Sequence, residues 1–315
     1  VLPNAFRLAG LALIPLFDFP VLWAAHVLWI SVALPWLWEA RYLVKSDYLG
    51  FAPMSAWDIR YAGLNTLQAL TSLQLQGIDM VVVGLLFSSE VSGSYAIASR
   101  LATLFPFFQF IILRNFSPRA GYLLRTGDIS TLNSELADVR NFSMIAVGTL
   151  TGAILATSSL ILPLFGDFSA AGALLVVLAL PAIARTLFAG TDVVIRMAGK
   201  ASLGLLVSIF GFLMVAVTPL VLETSLVVYS LAVGMFGSAV LLNPVFVRSL
   251  AHVGIKAISY PDLVPVVVAI AIVIVSLYHF GPANAALAAS LGPLTMAILV
   301  FIRKRRKCLN NKETD

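Results

Sequence analysis

Ten apolar runs alternate with polar connectors along this 315-residue chain, at residues 1–17, 20–38, 61–87, 91–113, 141–164, 169–195, 201–222, 224–247, 262–280 and 283–302. Most reach the roughly 17 to 25 residues that an α-helix needs to cross about 30 Å of hydrocarbon. A closed barrel would show two-residue alternation instead of continuous runs. The pattern predicts an all-α fold, a polytopic integral membrane bundle of about ten transmembrane helices.

The connectors carry a second pattern. Basic residues stand at Arg41, Lys45 and Arg60 after the second run, at Arg114, Arg119, Arg125 and Arg140 after the fourth, at Arg196 and Lys200 after the sixth, and at Arg248 and Lys256 after the eighth. Six more follow the tenth run. Threaded back and forth, the runs put all of these on one side, while the opposite connectors hold Asp18, Glu90, Asp167, Glu223 and His279 without any Lys or Arg. The positive-inside rule then predicts that both ends of the chain are cytoplasmic.

Composition narrows the class further. The chain is 60% hydrophobic and only 11% charged, against about 25% charged in ordinary soluble domains. The net charge of +5 comes largely from the cluster Arg303, Lys304, Arg305, Arg306 and Lys307. A juxtamembrane cluster of that kind fits an anionic leaflet, so membrane lipid is an expected partner and nucleic acid is not. The lone Cys308 supports no disulfide framework. Val1 opens directly inside an apolar run without a signal-peptide pattern, so the sequence reads as the rear portion of a longer protein. In residues 128–140, Ile129, Leu132, Leu136 and Val139 recur at helical spacing, which predicts a cytoplasmic surface helix leading into the fifth run.

Ionisable residues inside the runs are the candidate chemistry. They are Arg7, Asp79, Arg100, Arg185 and Asp192, and each costs roughly 2.5 to 3.5 kcal/mol at a helix centre, so each is expected to face a bundle interior or a watery cavity. In the third run Tyr61, Asn65, Gln68, Ser72, Gln76 and Asp79 share one helical face, either lining a wet path or bonding neighbouring helices. Asp79 and Arg100 are nearly equidistant from Glu90 at the turn between their runs, so an antiparallel hairpin puts them at one depth, where they could pair or border a solvated cavity. Arg185, Asp192 and Arg196 share a face, and the last two are spaced for an i, i+4 pair. Prolines at positions 35, 106, 181, 219, 265 and 293 predict kinks, and Ser230, Gly234 and Ser238 predict close helix packing. His26, His252 and His279 lack metal-ligand spacing, and the chain has no nucleotide-binding glycine loop, nucleophile elbow or paired acidic motif. No metal, cofactor or enzymatic activity is therefore expected.

The stretch QGIDMVVVGLLFSSEVSGSYAIASRLATLFPFFQFIILRNFSPR, the amphipathic segment after it, and TSSLILPLFGDFSAAGALLVVLALPAIARTLFAGTDVVIRMAGK carry a resemblance. With Asp79 in one helix and the Tyr95, Ala98 and Arg100 pattern in the next, they resemble the Wzx-type polysaccharide flippases of the MATE-like exporter superfamily. The likeness departs at Met80, where many members place a basic residue. It implies that residues 1–50 are the last two helices of an amino-terminal lobe whose first four helices lie upstream. Residues 51–252 would be a second six-helix lobe, 253–302 an added helix pair and 303–315 a basic tail.

The implied function is to move a polyprenyl-diphosphate-linked oligosaccharide across a bacterial cytoplasmic membrane for surface polysaccharide synthesis. Arg100, Arg185 and Arg7 would attract the headgroup along a path including Asn65, Gln68, Ser72 and Gln76. Asp79 and Asp192 would hold the arginines when empty and couple transport to Na+ or H+, and other glycan-assembly membrane proteins are candidate partners. The alternatives are a MATE-like drug or metabolite antiporter, which favours carboxylates over arginines in its cavity, and a membrane-embedded glycan polymerase or ligase, for which a large outer loop is expected. A static membrane scaffold would have every buried charge paired.

Overall fold

The computed structural model describes residues 56–166, 170–221 and 227–312, together with Ile30, Leu37 and Arg41. The chain divides into two compact units, 1–58 and 59–315, and the second is the one described here. The described residues are helical, without strands. In order they form α1 (Ala56–Leu86), α2 (Ser89–Ala102), α3 (Phe107–Thr126), α4 (Ile129–Ile161), α5 (Ala170–Thr186), α6 (Thr191–Met197), α7 (Ala201–Val221), α8 (Val227–Ala251) and α9 (Tyr260–Lys312). Four spans among the described residues are long and apolar enough to cross a membrane, and the number rises to six if the bent pairs α2/α3 and α5/α6 each count as one.

The last helix is too long for a single crossing. As a straight rod its 53 residues would extend about 80 Å at 1.5 Å per residue, far more than a bilayer. It contains two apolar spans, Pro261–Phe280 and Ala285–Arg305. Arg303 reaches back to Asp262 at 2.7 Å, and a Cβ on Gly292 would fall 2.5 Å from the carbonyl of Ala269. The segment is therefore a helical hairpin whose open end joins residues 41 positions apart.

The hairpin packs on α4, where Gly148 and Gly152 form a G-x-x-x-G step. Cβ atoms there would fall 2.5 Å from the Pro293 carbonyl and 2.5 Å from a Leu294 side-chain carbon, respectively. Only hydrogen at both positions lets the backbones come this close, which is how helices associate where apolar burial from water gives no drive. At the other side of the unit, Gly234 on α8 meets Met214, Val215 and Thr218 of α7, on the small-residue face read from the sequence. Helix α5 lies in the middle, with every residue from 171 to 179 buried.

Basic connectors gather at one end of this unit. Lys200 donates to Ser249, Lys304 to Asp138, Asn133 to the Gly254 carbonyl, and the Tyr61 hydroxyl to the Arg196 carbonyl at 2.6 Å. Residues 128–140 do form a helix leading into the fifth run, as the spacing suggested, but its apolar stripe does not lie on the surface. They are the first turns of the continuous α4, and Leu132, Leu136 and Val139 are buried against Phe116, Ile195, Phe246, Leu250 and Ile255. The apolar stripe is satisfied by protein instead of lipid. Asp128 caps this helix, and hydrogen bonds from Thr131, with a further one from Ser130, hold its carboxyl below the usual carboxylate range.

Gly148→Val is expected to push α4 off the hairpin and to lower stability by about 1–3 kcal/mol. The readout is the thermal midpoint of the detergent-solubilised protein. Gly63→Val, at a position facing open space, should leave that midpoint in place, and equal midpoints for both variants would contradict the close approach.

Candidate functional site

Two of the apolar runs do not continue as straight helices, and their breaks organise the candidate charges. Helix α2 stops at Ala102, passes through residues 103–106 and resumes as α3 at an angle of 44°. Helix α5 stops at Thr186, passes through residues 187–190 and resumes as α6 at 48°. Each break is closed by i to i+3 bonds, such as Leu104 to Leu101, Phe105 to Ala102, Phe188 to Arg185 and Ala189 to Thr186. These satisfy backbone groups that lipid could not. Pro106 marks the first break and stands as the N-cap of α3. Pro181 lies within α5, and the second break depends on Gly190, whose φ of 86° and position near Leu136, 2.8 Å from any Cβ, exclude other residues.

Arg100 occupies the last turn of α2 and Arg185 the last turn of α5. A half-helix that ends within a span presents a partial negative charge at its carboxyl end, and a guanidinium there is stabilised by it, by about 0.3–2 kcal/mol depending on burial. Both side chains are exposed, although Ala184, Thr186 and Leu187 around Arg185 are buried. Neither guanidinium has an ion pair or hydrogen-bond partner among the described residues.

Asp79 is buried at 3% exposure and accepts from the Tyr95 hydroxyl at 2.7 Å and the Ser99 hydroxyl at 3.4 Å. Its other oxygen, Oδ1, is buried without a donor. The Asp79–Arg100 pair allowed by their common depth does not form. Tyr95 and Ser99 are one turn apart and face α1, and Arg100 lies a further 100° around the same helix, turned away from the carboxylate. Depth was readable from the loop length, but facing was not. Tyr95 and Ser99 were missed as site residues, and their i, i+4 spacing opposite a membrane-embedded Asp was the available signal.

The pair between Asp192 and Arg196 forms at 3.1 Å, with both side chains roughly two-fifths exposed. They stand in the first and last turns of α6, each at the end whose partial charge favours it. The break at 187–190 separates them from Arg185, so the three do not lie on one continuous helix. On α1, Tyr61 bonds the Arg196 carbonyl, Gln68 is packed on Gly204 of α7, and Asp79 binds α2. These three members of the polar face join neighbouring helices. The side chains of Asn65, Ser72 and Gln76, and all of Arg7, lie outside the described residues.

An apolar groove of about 670 Å³ runs between α8 and the first arm of the hairpin, with the end of α5 as its floor. Phe188, Phe236, Val240, Pro244, Val266 and Ile270 are among its walls. None of Asp79, Arg100, Arg185 and Asp192 lines it. No group of His, Cys, Asp and Glu capable of holding a metal occurs among the described residues. The chain matches no family model, no curated protein and no solved structure.

Tyr95→Phe removes the stronger donor to a buried carboxylate and is expected to cost about 1–3 kcal/mol of stability. Arg100→Gln should cost less than Tyr95→Phe, about 0.3–1 kcal/mol, since it loses the helix-end charge interaction of an exposed side chain and no ion pair. A double-mutant cycle between Asp79→Asn and Arg100→Gln checks the geometry, and a coupling well above about 0.5 kcal/mol would contradict it.

Proposed function

We propose that this chain is a transporter that moves a lipid-diphosphate-linked oligosaccharide across a bacterial cytoplasmic membrane, with the basic end of the bundle in the cytoplasm. The observation that carries this reading is the pair of guanidiniums without partners among the described residues, Arg100 and Arg185, each at the carboxyl end of the first helix of a bent apolar pair. A diphosphate offers several charged oxygens, and a guanidinium binds such groups in a planar, bidentate fashion. The partial negative charge at each half-helix end favours a guanidinium beside it without occupying its donors.

The apolar groove supports the lipid part of the reading. Its walls carry only hydrocarbon side chains, and it lies within the spans Leu231–Ala251 and Pro261–Phe280. A polyprenyl chain can rest there or in the bilayer, while the sugars need a hydrated passage. In this reading no covalent bond is made or broken, so the protein is not an enzyme. Broken helices suit such a task, because a few residues at an element end can absorb the change between two states.

A second reading, a MATE-like antiporter of cationic drugs or metabolites, is favoured by one observation. Asp79 is buried with one oxygen unpaired and, among the described residues, with no cation as partner. A carboxylate so placed can take up Na+ or H+, which serves a cation antiporter and an ion-coupled flippase alike.

Arg100→Gln and Arg185→Gln, made in the producing cells, should each abolish surface-glycan export at unchanged protein abundance. Arg185→Lys should restore only part of it, because the ammonium keeps the charge but not the fork of donors. Normal export in both Gln variants would refute the reading, and loss of cation efflux in Asp79→Asn with export intact would favour the second.

A further inference from the structure

The end of the bundle where basic connectors meet contains a charge cluster that transport of an anion does not use. Asp262 has no exposure, and its two oxygens bind two guanidiniums, Arg140 at 2.6 Å and Arg303 at 2.7 Å. One of these oxygens also accepts the Ser259 N–H at 3.1 Å. Arg140 is buried too, and its other terminal nitrogen donates to the Ala257 carbonyl. Seven residues earlier on the same face of α4, the Asn133 side chain donates to the Gly254 carbonyl at 3.2 Å and accepts the Lys256 N–H at 2.7 Å.

Residues 254–259 link α8 to the hairpin and have no regular secondary structure of their own, apart from the turn at 254. They are nevertheless tied to α4 or α9 at Gly254, Lys256, Ala257 and Ser259. Between these ties Ile255 and Ala257 are pressed into the core at 1% and 2% exposure. A connector with its backbone bonded to side chains and its apolar groups buried is a strap, unlike the mobile loop that its lack of regular structure would suggest.

The charges explain why the strap depends on one residue. Two cations share a single carboxylate, which leaves a surplus positive charge, and both Arg140 Nε and Arg303 Nη1 are buried without acceptors. Arg303 is about a quarter exposed and can direct the surplus toward water, whereas Arg140 is 3% exposed and cannot. Removing one partner of a buried pair strands the other charge.

We propose that Asp262 is the keystone of an ionic clasp that fastens the strap and both arms of the hairpin to α4 as one rigid body, so that conformational change is confined to the two broken spans. The G-x-x-x-G contact leaves no clearance for α4 to slide on the second arm, and closely packed surfaces move as units. The breaks at 103–106 and 187–190 interrupt the regular ladder with i to i+3 bonds such as Leu104 to Leu101 and Phe188 to Arg185, the weaker geometry in which hinges form. The clasp is independent of the nature of the cargo.

The test uses the whole protein in native membranes, with Cys308→Ser and a single reporter, Ile255→Cys, labelled by a maleimide. The reporter should stay protected in this parent. Asp262→Asn and Arg140→Gln should each raise its labelling rate at least about a hundredfold, the scale of losing a buried ion-pair partner. Arg303→Gln should keep it protected, because a neutral Arg140–Asp262 pair remains. Where the charge variants do not accumulate, Asn133→Ala removes two strap bonds at a half-buried site and should raise the rate severalfold. Protection equal to the parent in all of the Asp262, Arg140 and Asn133 variants that accumulate, or full reactivity in the parent itself, overturns the clasp. Spin labels at Thr157 and Leu291, both exposed, should give a narrower distance distribution than labels at Leu180 and Met197 across the second break. The reverse order overturns the rigid body.

Discussion

A helix that ends inside hydrocarbon leaves carbonyl oxygens with no water to serve them, and this constraint shapes the whole candidate site. The chain ends two helices within its spans, at Ala102 and Thr186, and closes each gap with tight i to i+3 bonds. The residual negative charge at each end is met by an arginine in the last turn. Arginine is tolerated there because the backbone supplies a counter-charge, without needing a carboxylate. Arg100 and Arg185 thereby form no salt bridge among the described residues.

The opposite solution appears at the basic end. There Asp262 is sealed between Arg140 and Arg303, and Asn133 and Arg140 hold an irregular strap over a small apolar core. Part of the basic cluster after the last run is therefore engaged by the protein itself, since Arg303 pairs with the buried Asp262 and Lys304 with the exposed Asp138. One molecule thus contains two kinds of cation. Arg100 and Arg185, at half-helix ends, have no partner among the described residues, whereas Arg140, Arg303 and Lys304 at the bundle end are paired with carboxylates. The first kind suits a ligand site and the second suits a frame, and transport needs both.

Asp79 shows how a plausible pairing fails. Loop length places it level with Arg100, yet a helix distributes neighbours around its axis, and the residues that meet it are Tyr95 and Ser99. Their hydroxyls satisfy one oxygen and leave the other open. The Asp192–Arg196 step, by contrast, depended on spacing within one helix and formed as its i, i+4 separation required.

The sequence alone determined the all-helical membrane character, the gathering of basic connectors at one end, the folded-back final pair of spans and the close face at Gly234, because each follows from hydropathy, charge or residue size along one segment. Tertiary structure decided where the helices break, which hydroxyls Asp79 meets, and that residues 128–140 pack on protein and not on lipid. It alone joined Arg140, Asp262 and Arg303, which lie as far as 163 positions apart. Contacts of that kind depend on the rotation of each helix about its own axis and on how closely glycines let neighbours approach, and neither is fixed until the other helices are in place.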